Sequence, residues 1–228
     1  MLTFIGLGLC GDGISLQGLK KAKEAEEVYA ELYTSKIPEF DLEDFEEKIG
    51  NDVELLRRKG VEQEPEDLLK AAKKKKVAFL VAGDPMTATT HVDLRIRADD
   101  LGIETKIVHG ASIQTAAPGL AGLQSYKFGR SATLPFPEKP SETPYDVLEE
   151  NQKSGLHTFL LLDIEAEEER YLKANKALEY LLRLEKKLGR DVFSKDKLAV
   201  VVARAGASDS LVRADKVGKI VKEDFGEP

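Results

Sequence analysis

Short continuous apolar runs alternate along this chain with stretches in which apolar residues recur every three or four positions. Runs of that kind suit strands buried on both faces, and the amphipathic stretches suit helices that cover a sheet. Strands are accordingly predicted at Leu2 to Leu9, Glu27 to Glu31, Asp52 to Leu56, Val77 to Ala82 and Glu104 to His109. Helices fall between them. One is capped by Ser15 and carries Leu16, Leu19, Ala22 and Ala25, and a second runs from Asp41 to a terminal glycine, Gly50. A third has Pro65 in its first turn and ends in Lys73 to Lys76, and a fourth runs from about Thr90 to Asp100 before Gly102. Strands alternating with helices predict an α/β layer around a parallel sheet.

Gly110 to Ser125 is small, polar and glycine-rich, with Pro118 and Gly119, and reads as a loop or hinge. A second α/β half follows, with strands expected at Arg130 to Leu134, Thr158 to Ile164, Leu198 to Arg204 and Ser210 to Arg213. Its helices are expected from the cap and first-position pair Thr143-Pro144, from about Ala166 to Leu188, and from about Asp215 to Asp224. The chain thus divides into an N-terminal α/β domain, residues 1–110, and a C-terminal one, residues 111–228. The proline-rich stretch Pro135 to Pro144 is a loop of the second.

With 42% hydrophobic and 33% charged residues among 228, the chain is an ordinary globular one, neither disordered nor collagenous. Cys10 stands alone, which excludes an intrachain disulfide and points to a reducing, cytoplasmic compartment. The opening residues lack the basic head and cleavage pattern of a signal peptide, and no apolar run nears the ~20 residues that span a bilayer, so no membrane partner is expected. A net charge of -7 argues against a nucleic acid as main partner, because neutralising phosphates takes a surplus of Lys and Arg.

Gly6-x-Gly8-x-x-Gly11 follows a strand and precedes a helix, with the acidic Glu31 ending the next strand, which formally matches the dinucleotide fingerprint. In that fingerprint the helix starts within the glycine run and aims its N-terminus at the pyrophosphate. Here Asp12 and Gly13 intervene and the cap is Ser15, so the run reads as a tight turn opening on some other ligand. Ala82-Gly83-Asp84-Pro85 ends a buried strand, the position where open α/β sheets bind ligands. Glycine allows close backbone approach, proline fixes the turn, and Asp84 offers a carboxylate to hydroxyl or amine groups; the competing reading is a turn that merely caps the next helix. In Met86 to His91, Thr89 or Thr90 reads as a helix cap and His91 as a surface residue of the first turn. Ser112-Ile113 and Ala203 to Ala207 are small-residue turns at strand ends, with room for a planar ring or for close packing. The histidines are scattered and no metal-ligand spacing occurs. P-loop, nucleophile-elbow and zincin motifs are absent from the sequence.

Taken together, FIGLGL at Phe4 to Leu9, YTS at Tyr33 to Ser35, AGDPMTATTH at Ala82 to His91, GLQSYKFGR at Gly122 to Arg130, GLHTFLLLDI at Gly155 to Ile164 and VVARAG at Val201 to Gly206 resemble the diphthine synthases over nearly the whole chain. GLGL and GDP mark only the wider tetrapyrrole-methylase superfamily, whereas ATTH and GLHT are more specific. The resemblance implies two α/β domains of the tetrapyrrole-methylase type with a cofactor cleft between them, usually in a homodimer. It implies an S-adenosylmethionine-dependent, metal-free N-methylation of the aminocarboxypropyl-modified histidine of translation elongation factor 2, in diphthamide synthesis. Carried over by position, the S-adenosylmethionine contacts are Leu9, Asp84, Thr87, Ser112, Ile113, Leu162 and Ala205; no catalytic residue is assigned. Thr87 stands where an apolar residue is common, and the loop Leu9 to Ile14 is shorter and richer in glycine than the family's acidic stretch. Family members continue past the FG-x-P of Phe225 to Pro228 into a strand of the cofactor pocket, so the second domain is expected to lack that strand. Within the same fold, the alternatives are a tetrapyrrole C-methyltransferase and a non-catalytic binding module.

Overall fold

A computed structural model describes residues 1–227 as two units, the first made of Met1–Ile113 with Gly206–Ser208 and the second of the rest. In the first, β1 (Leu2–Gly6), α1 (Leu16–Lys23), β2 (Glu27–Glu31), α2 (Leu42–Ile49), β3 (Val53–Leu55), α3 (Glu66–Lys74), β4 (Val77–Val81), α4 (His91–Asp100) and β5 (Thr105–Val108) alternate along the chain. The five strands form one parallel sheet in the order β3-β2-β4-β1-β5. The wholly apolar β4 and nearly apolar β1 sit in its interior, buried at every residue, as sequences without a polar face must. Local signals set the helix ends. The Ser15 hydroxyl accepts from the Gly18 N–H at 3.0 Å, and Gly50 ends α2 in the left-handed region at φ 74°.

Each face of the sheet has its own core. Ala22 of α1 and Phe45 and Ile49 of α2 pack with Ile5, Val28, Ala30 and Leu80 on one side. On the other, Leu68, Leu69 and Ala72 of α3 and Leu94 and Ala98 of α4 pack with Leu2, Phe4, Tyr29 and Phe79. β1 and β4 are neighbours, yet the helices that follow them, α1 and α4, lie on opposite faces. Their C-terminal ends therefore make the topological switch point at which open α/β sheets hold ligands.

The second unit is built of smaller pieces around a core that includes Leu134, Tyr145, Leu181, Val217 and Ile220. Its elements are α5 (Ile113–Leu120), which starts on the last residue of the first unit, then β6 (Ala132–Leu134), α6 (Thr143–Lys153), β7 (Leu160–Leu162), β8 (Ile164–Glu165), β9 (Arg170–Tyr171), α7 (Ala174–Leu188), β10 (Leu198–Ala203), β11 (Leu211–Lys216) and α8 (Val217–Ile220). The strands pair only in twos: β6 with β7 in parallel, β8 with β9 and β10 with β11 antiparallel.

Four sequence expectations need correction here. The supposed loop after Gly110 contains α5, with Pro118 inside it. Alanine favours helix, and burial of Ala117 and Pro118 offsets the rung that proline removes. The long helix starts at Ala174, not Ala166, because Glu169 turns left-handed at φ 50° and β9 folds back on β8. No apolar stripe exists before Leu172 to hold a helix there. Glu142, not Thr143, occupies the cap position of α6. The final helix is the short α8, since β11 runs on to Lys216.

Candidate functional site

At the switch point the ends of β1, β4 and β5 approach so closely that only glycine fits. Gly8 and Gly83 exchange backbone hydrogen bonds, Gly8 N–H to Gly83 O at 3.1 Å and Gly83 N–H to Gly8 O at 2.9 Å. A Cβ on Gly6 would lie 2.5 Å from both Gly83 O and Gly110 N. Over Gly83, by contrast, a Cβ would meet only Ala111 O, at 3.8 Å, so the space above that residue is open. The rest of the glycine run closes on itself: Gly13 N–H bonds Cys10 O at 2.9 Å and Gly11 N–H bonds Pro38 O at 3.0 Å. α1 begins only at Leu16, so no helix N-terminus opens the run, and the pyrophosphate geometry of a dinucleotide site is not formed.

Asp84 follows this junction and is buried. Its Oδ1 accepts from the Met86 N–H at 2.9 Å and the Thr87 hydroxyl at 3.1 Å, and its Oδ2 lies 2.7 Å from Nδ1 of the exposed His109. Burial, the largest single influence, raises the carboxyl's pKa, but the bonds from Met86, His109 and Thr87 outweigh it and hold Asp84 below the ordinary aspartate value. The turn therefore presents a fixed negative charge at the switch point. Most of the carboxylate's acceptor sites are already used, so Asp84 acts through its charge and through the placement of Thr87 and His109. His109 itself escaped the sequence reading; its place at the end of β5, on the sheet edge that also carries Asp84, was the available signal.

A second polar cluster lies behind the turn. Glu31 is fully buried at the end of β2 and gathers the loop that follows: its Oε2 accepts the Tyr33 and Thr34 N–H groups at 3.2 and 3.1 Å, and its Oε1 accepts the Thr34 hydroxyl at 2.6 Å. His91 is not the surface residue its sequence position suggested. It is 1% exposed, stands edge-on to Phe79 with ring centroids 5.2 Å apart, and places Nδ1 3.2 Å from Pro85 O. Its Nε2 faces Glu31 Oε1 at 3.6 Å. The spacing of His91, Leu94 and Ala98, all buried, is the helical stripe that could have revealed this.

Of the residues carried over as cofactor contacts, Leu9, Asp84, Thr87, Ser112 and Ile113 belong to the first unit. Asp84 and Thr87 are hydrogen-bonded, Ser112 is buried, and Leu9 lies beside Gly206, where a Cβ would come within 3.1 Å of Leu9 Cβ. Leu162 ends β7 and the buried Ala205 follows β10, both in the second unit. Among the described residues, no group of acidic, histidine or cysteine side chains has the arrangement of a metal site and no helix is long and apolar enough to cross a membrane.

The pattern of the Tetrapyrrole (Corrin/Porphyrin) Methylases matches residues 1–221. The chain is 49% identical over 236 residues to a diphthine synthase of Methanosarcina acetivorans, covering 100% of this chain and 88% of that protein. It is 50% identical over 232 residues to a diphthine synthase of Methanocella arvoryzae, covering 100% and 90%. A crystal structure of diphthine synthase superposes with a TM-score of 0.90 at 41% identity, covering all of this chain and 86% of the other.

Proposed function

The chain belongs to the tetrapyrrole methylases and, among them, to the diphthine synthases, and from that premise we propose how this S-adenosylmethionine-dependent methyltransferase of diphthamide biosynthesis uses its switch point. The acceptor is the amino group of the aminocarboxypropyl-modified histidine of elongation factor 2, and in the first unit the methyl donor contacts Leu9, Asp84, Thr87, Ser112 and Ile113. A homodimer acting in the cytoplasm is part of the same reading. The observation that carries it is the Asp84 turn: a buried carboxylate, kept ionised by three donors, beside the open space over Gly83.

These residues fit a cationic ligand. S-adenosylmethionine supplies an electrophilic methyl on a positively charged sulfur. Asp84 sets a negative charge near that end of the site at no reorganisation cost, since its bonds are made in advance. The bare backbone at Gly83 leaves room for a ligand to lie against the strand ends. Attack by a neutral amine on such a methyl asks mainly for alignment, and alignment supplies roughly 7 to 11 kcal/mol when two reactants are held in near-attack geometry. Methyl transfer from labelled S-adenosylmethionine is expected to elongation factor 2 that carries the aminocarboxypropyl group, with none to the unmodified factor, which lacks the amine. Equal labelling of both forms would overturn the acceptor.

A further inference from the structure

Two buried side chains remain outside this chemistry, Glu31 and His91, and each holds one of the loops at the sheet's C-terminal edge. Glu31 ties down the loop of Tyr33 and Thr34; His91 ties down the turn of Asp84 and Pro85 through the Pro85 carbonyl. That carbonyl can only accept, so Nδ1 carries a hydrogen, and a neutral His91 turns the lone pair of Nε2 toward Glu31. Nε2 is buried and has no hydrogen-bond partner among the described residues apart from the carboxyl group it faces at 3.6 Å. An ionised Glu31 opposite a neutral His91 would set two lone pairs against each other in a medium without water. One proton between them removes the conflict, whether it sits on the carboxyl or on the imidazole.

We propose that Glu31 and His91 are a positioning pair that shares one proton and thereby locks the turn carrying Asp84 to the loop carrying Tyr33 and Thr34. The surrounding groups agree with a single shared proton. Burial, the leading influence on both, pushes Glu31 up to about 7 and His91 below the ordinary imidazole value. Of the charged neighbours, Arg58 favours the carboxylate and Glu62 the imidazolium, and these two are paired with each other at 3.6 Å. The other groups packed on the pair are uncharged: Thr34 and Tyr33 on Glu31, Phe79 and Pro85 on His91. Loss of the shared proton as pH rises frees the Asp84 turn from the Tyr33 loop. Glu31→Gln imitates the protonated acid permanently, since its amide N–H at the Oε1 position can donate to Nε2 while its oxygen accepts from the Tyr33 and Thr34 N–H groups, and the Thr34 hydroxyl turns to accept from the amide.

Nitrogen-15 spectra of the histidine side chains in the ligand-free protein test the pair without reference to the cofactor. His91 is expected as the Nδ1–H tautomer, and its Nε2 signal and the backbone amides of Tyr33, Thr34 and Met86 are expected to shift together between about pH 6 and 8. In Glu31→Gln these signals should stay at the wild-type low-pH positions throughout. An Nε2–H tautomer in the wild type, or a transition unchanged in Glu31→Gln, would overturn the proposal, and the tautomer is readable even if the variant fails to fold. The consequence for the site rests on the methyltransferase reading. S-adenosylhomocysteine should bind the wild type about tenfold more weakly at the high end of this range, and Glu31→Gln should lose most of that slope. A wild type that binds no S-adenosylhomocysteine at any pH would count against the cofactor reading and leave the spectra to decide the pair; binding with equal pH slopes in both proteins would refute the positioning role.

Discussion

Glu31 in the first unit and Glu185 in the second do the same local job and arrive at opposite electrostatic states. Glu185, on α7, accepts the N–H groups of Asp191, Val192 and Phe193 at 3.0, 2.9 and 2.7 Å and the Tyr145 hydroxyl at 2.6 Å. Glu31 accepts two N–H groups and a threonine hydroxyl. Glu185 is only half-buried, and the bonds from Tyr145 and then Phe193 carry its carboxyl down to about 2. Glu31 is sealed from water, and desolvation overrides its bonds and carries it up to about 7. Hydrogen bonds of similar number therefore do not set the charge of a carboxyl; access to water does. The second unit organises loops with surface carboxylates that remain anions, whereas the first does so with a buried acid whose proton is part of the structure.

The largest effect should come from the close-packed strand ends of the first unit. Gly6→Ala drives a Cβ into two backbone atoms that cannot yield, and a loss of about 3 kcal/mol or more is expected in urea unfolding. The contrasting variant in the second unit, Gly119→Ala in α5, meets no neighbour and should be neutral or slightly stabilising, by up to ~1 kcal/mol. Comparable losses in both would erase the distinction between the units.

Asp84→Ala should leave the fold standing on Pro85 and lower S-adenosylmethionine affinity by about ten- to a hundredfold, the worth of an interaction with a charged group, as read by calorimetric titration. Affinity equal to the wild type would confine Asp84 to shaping its own turn. Glu185→Gln should cost about 1 to 2 kcal/mol near neutral pH. Because the folded value lies below the ordinary one, the stability Glu185 contributes is present above the usual glutamate range and is lost as pH falls toward 2, so the gap between wild type and variant should close in acid. Glu31→Gln should give the smallest change and the reverse slope. A raised carboxyl contributes stability below the usual glutamate range that disappears as pH rises through about 7. The melting temperature of Glu31→Gln relative to wild type should therefore improve from pH 5 to pH 8; a flat difference would mean that Glu31 is ionised throughout.

The sheet of the first unit was legible because β1 and β4 are apolar runs that only burial on two faces explains, and Ser15 and Gly50 announced their helix ends. α5 was not, since glycine and proline there signal a turn locally while burial of Ala117 and Pro118, a tertiary fact, decides for helix. At the site, Asp84 was readable from its place after β4. His109 and the pairing of Glu31 with His91 were not, because the first joins the ends of two strands separated by β1 and the second joins a strand end to the start of α4, and neither meeting is visible before the fold is known. His91 shows the cost of reading a polar residue by type: its place on the stripe of Leu94 and Ala98 outweighed its chemistry.

The sheet order also dictates a timetable. β1 leaves the ribosome well before its neighbours β4 and β5, with Leu2 aligned to Val77 on one edge and to Thr105 on the other. Until those segments have been synthesised, an apolar strand waits with both edges open, a template for any other extended chain. Long-range parallel pairing of this sort is slow to form and exposed to aggregation while it does. Refolding yield should accordingly fall steeply with protein concentration, and a helper that shelters the first strand during translation should matter more for this protein than one that acts on its finished surface.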